Sequence, residues 1–248
     1  MKIQLIRHAT LKVQYADFTF LIDPMFSPQG SNPPIIHTAN ERRNPLVELP
    51  VSIAEINAPD AILVTHLHGD HWDEAAKAVL NKETQIFCQP GDEAAITAAG
   101  FQSVQAIESV IVLQHITISR TTGQHGVGEI GEQMGNVSGF VFQAEGQPTL
   151  YIAGDTIWCE DVQEALDLYK PSVTVVNAGG ARFVMGDPIT MDAADVVQVI
   201  RYAPYTKVVA VHMDAINHCL VTKDDLRKRI IAENLLDSVL IPDDGEWI

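Results

Sequence analysis

Three histidines and two carboxylates lie within eight positions of the chain, close behind a short apolar run. The run is Ala61-Ile62-Leu63-Val64, and the polar cluster is His66-Leu67-His68-Gly69-Asp70-His71-Trp72-Asp73. Neutral imidazoles and carboxylates are the usual ligands of zinc and of similar divalent ions. Gly69 lets the backbone bend in mid-turn, so that side chains on both sides of it can converge on one point. We therefore predict a metal site where a buried strand turns into a helix, with a geometry that suits two adjacent ions better than one.

The rest of the chain alternates between patterns typical of strands and of helices. Besides the strand before the cluster, we predict strands over residues 3–6, 11–15, 18–22, 85–88, 103–107, 110–113, 115–121, 140–143, 149–153, 173–176 and 208–211. We predict helices over residues 73–80, 92–99, 161–169, 192–202 and 223–234. Thr222 is expected to cap the last helix, and either Thr190 or Asp192 the helix before it.

A glycine-rich segment, residues 123–139, divides these elements into two halves of similar size. Two such β-then-α halves predict two sheets packed face to face with helices outside. The expected fold class is thus α/β (α+β), a four-layer αβ/βα sandwich, formed by residues 1–248 as a single domain.

Residues 25–59 form a long irregular stretch that contains six prolines. Loops of this length in compact domains tend to be lids, binding loops or disordered segments. We predict a covering segment beside the metal site, and a surface wrap without ligand contact is the alternative.

The amino-acid composition limits the partners and the compartment that we expect for this chain. The chain has 248 residues, of which 46% are hydrophobic, and 32 acidic against 16 basic residues give a net charge of −16. Nucleic-acid binding usually requires a basic patch, so a nucleic-acid partner is not expected. No apolar stretch reaches the roughly 18 residues of a membrane span. The N-terminus lacks the apolar core of a signal peptide. The three cysteines are widely spaced, which fits a reducing compartment. We expect a cytoplasmic protein that acts on a small-molecule substrate without a membrane partner, and a homo-oligomer is compatible with the sequence.

The HxHxDH pattern of residues 66–71 resembles the signature of the metallo-β-lactamase fold hydrolases. That family supplies a further histidine, a bridging aspartate and a last histidine at the ends of later strands, and His125, Asp155 and His212 follow predicted strands in that order. The resemblance implies that His66, His68 and His125 hold a first metal. It implies that Asp70, His71 and His212 hold a second one, with Asp155 bridging both.

The resemblance also implies metal-assisted hydrolysis. Two divalent ions about 3.5–4 Å apart can share a hydroxide and stabilise developing negative charge. Zinc and manganese are the expected cofactors, since one His/Asp set accepts several ions. Asp70 would orient the attacking water or pass a proton to the leaving group. The expected reaction is cleavage of a small ester or lactone, phosphorylated or not. The alternatives are a phosphodiesterase or nuclease of the same fold and a non-catalytic metal-holding protein.

Within the family, three segments resemble the L-ascorbate-6-phosphate lactonases and related hydrolases. They are Ile6-Arg7-His8-Ala9-Thr10, Phe20-Leu21-Ile22-Asp23-Pro24 and Thr190-Met191-Asp192-Ala193-Ala194. Arg7 stands where that branch has a glycine. Asn177 is expected to line the cleft, because it follows a strand that ends at the metal edge.

The other histidines are weighed by position. His115 competes with His125 as a ligand, but His125 follows its strand into a glycine-flanked turn, whereas His115 begins a strand and is expected to be structural. His218 is a candidate catalytic residue that contacts substrate or relays a proton, or else an ordinary packed or exposed histidine. His8, Asp23 and His37 lack a spacing that indicates chemistry.

Three further side chains are expected to have ordinary structural roles. Cys159 and Cys219 lie close in sequence to proposed ligands, yet a buried thiol is the commoner role for such a cysteine. Arg182 is expected to form a surface salt bridge, and the alternative is that it anchors an anionic group of the substrate.

Overall fold

The first of two mixed β-sheets is built mainly from the N-terminal part of the chain. The computed structural model describes residues 1–248. Six strands follow one another in sequence order: β1 (Lys2–Arg7), β2 (Thr10–Tyr15), β3 (Phe18–Ile22), β4 (Ala61–Val64), β5 (Gln85–Cys88) and β6 (Val104–Ala106). Strands β1 to β3 are antiparallel to their neighbours, and β3 to β6 are parallel. The carboxyl ends of β1, β3, β4 and β5 therefore meet at one edge.

The second sheet has seven strands in the order β13-β12-β11-β10-β9-β8-β7. They are β7 (Val110–Leu113), β8 (Ile116–Thr122), β9 (Ser138–Gln143), β10 (Leu150–Ile152), β11 (Val173–Asn177), β12 (Lys207–Val211) and β13 (Val239–Leu240). Strands β10 to β13 are parallel, and in the register of β11 and β12 Asn177 lies opposite Val211. Asn177 and the residue after Val211, His212, thus reach the same edge.

The predicted boundary between the two halves is wrong. Strands β7 and β8 belong to the second sheet, so the sheets divide after β6 and not at residues 123–139. Strand β8 pairs antiparallel with β9, so the glycine-rich segment connects two neighbouring strands of one sheet. The segment itself contains a short helix, α4 (Gly128–Met134), which its glycines disfavour and which the sequence did not predict.

Helices cover the outer faces of both sheets, as predicted. A cluster of buried side chains from α2 (Glu74–Val79) and α3 (Glu93–Ala98) packs on the first sheet, and another from α5 (Glu160–Tyr169), α6 (Ala193–Tyr202) and α7 (Lys223–Ala232) packs on the second. A third apolar cluster lies between the sheets. This arrangement is the four-layer αβ/βα sandwich of the metallo-β-lactamase fold. None of the helices has the length and apolar character needed to cross a membrane.

The helix starts agree with the expected capping. Asp73 caps α2 by accepting a 2.7 Å hydrogen bond from the Ala76 amide. Asp192, and not Thr190, caps α6, while the Thr190 hydroxyl accepts from the Ala181 amide. Thr222 caps α7. Each cap satisfies amide groups that the first turn of a helix leaves without partners.

The proline-rich stretch of residues 25–59 contains one helical turn, α1 (Ile53–Ile56), and is fixed by two buried side chains. Arg7 is fully buried and donates to the backbone carbonyls of Met25, Ser27 and Val47. Asn217 donates to the Ile35 carbonyl and accepts from the Ile35 amide, both at 3.0 Å. The stretch is therefore held against the body of the fold by side chains from distant parts of the chain.

Candidate metal centre

All seven sequence-predicted ligands converge at the shared edge of the two sheets. His66 and His68 follow β4, Asp70 and His71 lie in the loop before α2, His125 follows β8, Asp155 follows β10 and His212 follows β12. Their ligand atoms fall into groups whose members lie within 4.8 Å of one another. These groups are His66 with His68 and His125, His66 with His71 and Asp155, and Asp70 with His71, His212 and the additional residue His8.

The first group presents ring nitrogens to a common point. His68 Nδ1 lies 2.9 Å from His66 Nε2 and 3.3 Å from His125 Nε2. The outer nitrogens of two rings are engaged elsewhere: His125 Nδ1 donates to the Ile189 carbonyl, and His66 Nδ1 lies 3.1 Å from the Thr65 hydroxyl. The inward nitrogens are therefore left with lone pairs that face one another. A shared cation satisfies this arrangement, and the residues fit a metal ion.

The second group contains carboxylate oxygens as well as ring nitrogens. His212 Nε2 lies 3.2 Å from His71 Nε2 and 3.7 Å from Asp70 Oδ2. Such a mixed donor set suits zinc or manganese.

Asp155 lies between the two groups. Its Oδ2 atom is 3.6 Å from His125 Nε2 and 3.3 Å from His71 Nε2, and its Oδ1 atom is 3.3 Å from His212 Nε2. Asn177 donates to the same Oδ1 atom at 2.6 Å, so it holds Asp155 in place, but it does not line the cavity beside the cluster. One buried carboxylate thus contacts ligands of both groups.

The structure brings Asp23, whose spacing in the sequence indicates no chemistry, into contact with the cluster. Its Oδ2 atom accepts from His71 Nδ1 at 2.9 Å and from the Thr65 hydroxyl at 2.7 Å. A carboxylate behind a metal-binding histidine fixes the tautomer and orientation of the ring. The signal in the sequence is positional, because Asp23 follows β3, whose end lies beside the end of β4.

The structure also places His8 against the cluster, although its spacing in the sequence indicates no chemistry. Its Nε2 atom lies 3.2 Å from Asp70 Oδ2, and its ring centroid is 3.6 Å from that of His212. His8 comes at the end of β1, which runs in the same direction as β3 and ends at the same edge. By contrast, His37 is exposed and lies outside the cluster.

The other side chains considered in the sequence differ in burial and in their distance from the cluster. His218 is buried and faces the cavity described below, and Cys159 and Cys219 are buried free thiols as expected. His115 is exposed in the turn before β8, so it is neither a member of the cluster nor part of the core. Arg182 donates to the Gly186 carbonyl, and the expected salt bridge is wrong.

The charges of the cluster depend on one another. Burial alone would lower the pKa of His71, but the carboxylates of Asp155, Asp23 and Asp70 together raise it well above its ordinary value. Burial alone would raise the pKa of Asp70 and of Asp155, yet the neighbouring histidines hold both well below their usual range. A proton on His71 therefore supplies, in the metal-free protein, part of the positive charge that these carboxylates require.

The metal-free protein is expected to lose stability on acidification from pH 7 to pH 5. Burial lowers the pKa of His8 to about 3 and that of His218 to about 4, from an ordinary 6.5, and it also lowers the pKa of His66 and His68. Below pH 6.5 the unfolded chain takes up protons that the folded chain refuses, so the free energy of unfolding falls. His71 acts in the opposite sense, because its raised pKa favours the folded state at low pH, but four rings oppose it. Thermal melts of chelator-treated protein test this, and an equal or higher Tm at pH 5 would contradict it.

Replacement of His125 by alanine is expected to reduce metal retention far more than replacement of His115. The reason is geometric, since His125 Nε2 lies 3.3 Å from His68 Nδ1, whereas the His115 side chain is exposed in a turn. Metal content after dialysis measures the difference. If both variants retain equal amounts of metal, or if His115→Ala retains less, the assignment of the first group is wrong.

A cavity of about 220 Å³ opens beside the cluster. Its polar wall carries His68, Gly69, Asp70, His125, Asp155 and His218, and its apolar wall carries Ile35, Met134, Phe183 and Ile189. No lysine or arginine lines it. Ile35 belongs to residues 25–59, so this stretch contributes to the wall of the cavity.

Comparison with known proteins agrees with the geometry. Residues 19–213 match the Beta-lactamase superfamily domain. The UPF0173 protein YddR of Bacillus subtilis (strain 168) is 37% identical over 99% of this chain and 98% of its own length. The crystal structure of an isothiocyanate hydrolase from Delia radicum gut bacteria superposes with a TM-score of 0.96 at 37% identity, covering 100% of this chain and 98% of that one. A possible metal-dependent hydrolase from Veillonella parvula DSM 2008 gives a TM-score of 0.97 at 36% identity with the same coverage.

Proposed function

Because the chain belongs to the beta-lactamase superfamily and, within it, to the UPF0173 metal-dependent hydrolases, we propose that it hydrolyses a small uncharged substrate at a dinuclear centre. The observation that carries the proposal is the placement of Asp155, whose two oxygens contact histidines of both ligand groups. In this proposal His66, His68 and His125 hold one ion, and Asp70, His71 and His212 hold the other. Zinc and manganese both suit these ligands.

Two divalent ions bound there would lower the pKa of water from roughly 15.7 to about 7 and stabilise negative charge that develops on the substrate. The protein side chains provide orientation and proton transfer. The Oδ2 atom of Asp70 is engaged by His8, which leaves its other oxygen to orient the attacking water and to accept a proton from it. Asp70 then delivers that proton to the leaving group.

His218 contributes a neutral hydrogen-bonding group. Burial lowers its pKa to about 4, so the ring is uncharged at pH 7. A neutral imidazole can accept a hydrogen bond at one nitrogen and donate at the other, but it does not serve as an imidazolium acid. We assign His218 to substrate binding beside the reacting bond, on the wall of the cavity that it shares with Asp70 and Asp155.

The lining of the cavity favours a small ester or lactone with an apolar substituent. Four apolar side chains form one wall, and an anionic group would meet no lysine or arginine there. Nucleic acids are disfavoured because no lysine or arginine lines the cavity and the chain carries a net charge of −16. The reacting carbonyl would face the polar wall, with the substituent against Ile35 and Phe183.

An isothiocyanate is a second candidate, favoured by the 37% identity with the isothiocyanate hydrolase from Delia radicum gut bacteria. Such a compound is uncharged and carries an electrophilic carbon between nitrogen and sulfur. Addition of water to that carbon and cleavage of the carbon–nitrogen bond give an amine and carbonyl sulfide. The same polar wall and the same apolar wall would serve this reaction.

A substrate panel separates these functions. The protein, loaded with Zn²⁺ or Mn²⁺, would be assayed on short lactones, p-nitrophenyl acetate, phenethyl isothiocyanate and bis-p-nitrophenyl phosphate, with chelator-treated protein as the control. We expect metal-dependent turnover of a lactone, an ester or the isothiocyanate. Cleavage of the phosphodiester alone, or no turnover of any compound by protein that carries two ions, would contradict the proposal.

We also place the protein in the cytoplasm. Cys88, Cys159 and Cys219 are all free and buried, which fits a reducing compartment. Fractionation of the source cells tests this assignment, and recovery of the protein outside the cytoplasm would contradict it.

A further inference from the structure

We propose that His8 is a positioning residue that builds the second half of the metal centre by fixing both Asp70 and His212. The inference rests on the dinuclear site proposed above. His8 makes no hydrogen bond to the first ligand group, and it follows a strand of the opposite sheet from the strand that His212 follows. Three kinds of contact support it: a side-chain hydrogen bond, a ring contact and a backbone hydrogen bond.

The hydrogen bond joins His8 Nε2 to Asp70 Oδ2 over 3.2 Å. Because a carboxylate can only accept, Nε2 must carry the hydrogen, and Nδ1 is the bare nitrogen. Nδ1 is buried and has no hydrogen-bond partner. The His8 ring is therefore held by a hydrogen bond at one nitrogen only, and that bond is made to Asp70.

The contacts with His212 involve both ring and backbone. The two ring centroids lie 3.6 Å apart with a tilt of 37°, and the His212 amide donates to the His8 carbonyl at 2.9 Å. The ring of His8 thus limits the plane that the His212 ring can adopt, while the backbone bond fixes the distance between the two chain segments. His212 Nε2 points past this contact toward His71 and Asp155.

The backbone conformation of His8 is a further observation that supports its positioning role. His8 has a φ of 61° and His212 a φ of 66°, a left-handed conformation that is uncommon for residues other than glycine, although asparagine, aspartate and histidine adopt it more often than the rest. A glycine would turn the β1–β2 hairpin with less strain. Strain of this kind is found where many contacts from the surrounding structure hold a residue in place, commonly at functional sites. The contacts of the His8 ring with Asp70 and His212 therefore give the imidazole a positioning role at this turn.

The test compares two substitutions that differ in reach. In His8→Asn the amide tolerates the left-handed backbone but is too short to reach Asp70, whereas in His8→Gln the amide nitrogen extends to the position of Nε2. Two-site calorimetric titrations with Zn²⁺ would measure the affinity of each site. We expect His8→Asn to weaken the second site by about 10–100-fold while the first site keeps its affinity, and His8→Gln to recover most of the loss.

His37→Asn is a matched control, because His37 is exposed and has nearly the same backbone conformation, with a φ of 58°. It is expected to titrate like the parent protein. Parent-like affinity of both sites in His8→Asn, or a His8→Gln variant as weak as His8→Asn, would overturn the proposal.

The nitrogen NMR spectrum of the metal-free parent provides a readout that does not depend on metal binding or turnover. It should show His8 as the neutral tautomer with hydrogen on Nε2, and this signature should change in Asp70→Asn. The tautomer with hydrogen on Nδ1 would overturn the assignment of the contact. If the parent bound only one ion, the dinuclear function would fail, while the NMR result would still decide whether His8 holds Asp70.

Discussion

Substitution of Asp155 by asparagine is expected to abolish retention of both metal ions, and hydrolytic activity with it. Asp155 is the carboxylate whose two oxygens lie 3.3 Å from His71 Nε2, 3.6 Å from His125 Nε2 and 3.3 Å from His212 Nε2. Asparagine keeps the size of the side chain but removes the negative charge. Loss of an outer-shell partner commonly lowers metal affinity or activity by about 10–100-fold, and loss of a ligand shared by two ions should exceed that.

Elemental analysis after dialysis, together with the turnover rate, measures this effect. Asp17→Asn is a suitable control, because Asp17 is exposed at the β2–β3 turn and lies far from the cluster in the sheet. A folded Asp155→Asn variant that kept two equivalents of metal would show that Asp155 does not bridge the groups.

Substitution of Asp70 by asparagine is expected to have a more selective effect. Asp70 Oδ2 lies 3.7 Å from His212 Nε2 and 4.0 Å from His71 Nε2, and Asp70 is not a member of the first group. His66, His68 and His125 would still supply three nitrogens to the first ion. We therefore expect one retained equivalent of metal, weak binding of the second and a loss of activity of at least about 10–100-fold.

The metal content separates this variant from Asp155→Asn, which should retain neither ion. Near-normal turnover by Asp70→Asn would mean that Asp70 is neither a ligand nor an acid–base group. Activity that returned fully when excess Zn²⁺ was added would remove only the acid–base role, because the ligand role would then explain the whole loss.

Much of the fold and of the site follows from the order of strands along the chain. Ligands at the ends of β8, β10 and β12 meet because these strands run in the same direction in one sheet, and the face-to-face packing of the two sheets brings the end of β4 to the same edge. The HxHxDH pattern fixes where that edge is. The HxHxDH pattern is local in sequence, whereas the later ligands are identified through the family resemblance that this pattern carries.

Asp23 and His8 could not be predicted in the same way. Each is a single polar residue after a strand, and each contacts its partner across a long stretch of chain, 48 residues from Asp23 to His71 and 62 from His8 to Asp70. Their placement depends on which strands are neighbours in the first sheet. An N-terminal meander that continues into parallel strands brings the ends of β1 and β3 beside that of β4, and the spacing of the residues does not reveal this.

The misplaced boundary between the sheets has a related cause. Strand β7 pairs with β8 in a tight hairpin, and β8 pairs with β9 across the glycine-rich segment. In the sequence the glycines of that segment indicate a break between halves, whereas in the structure the segment connects two strands of one sheet. The helix α4 inside it is stabilised by its surroundings rather than by its own residues, since Gly128 and Gly131 both disfavour a helix.

The metal content of the purified protein tests the dinuclear centre most directly. The protein would be loaded with Zn²⁺ or Mn²⁺ at neutral pH, dialysed against metal-free buffer and analysed by inductively coupled plasma mass spectrometry. We expect close to two equivalents per chain, and release of both as the pH falls, because imidazole ligands must be neutral to coordinate. A protein that retained one equivalent or none, and took up no more on reloading, would contradict the account.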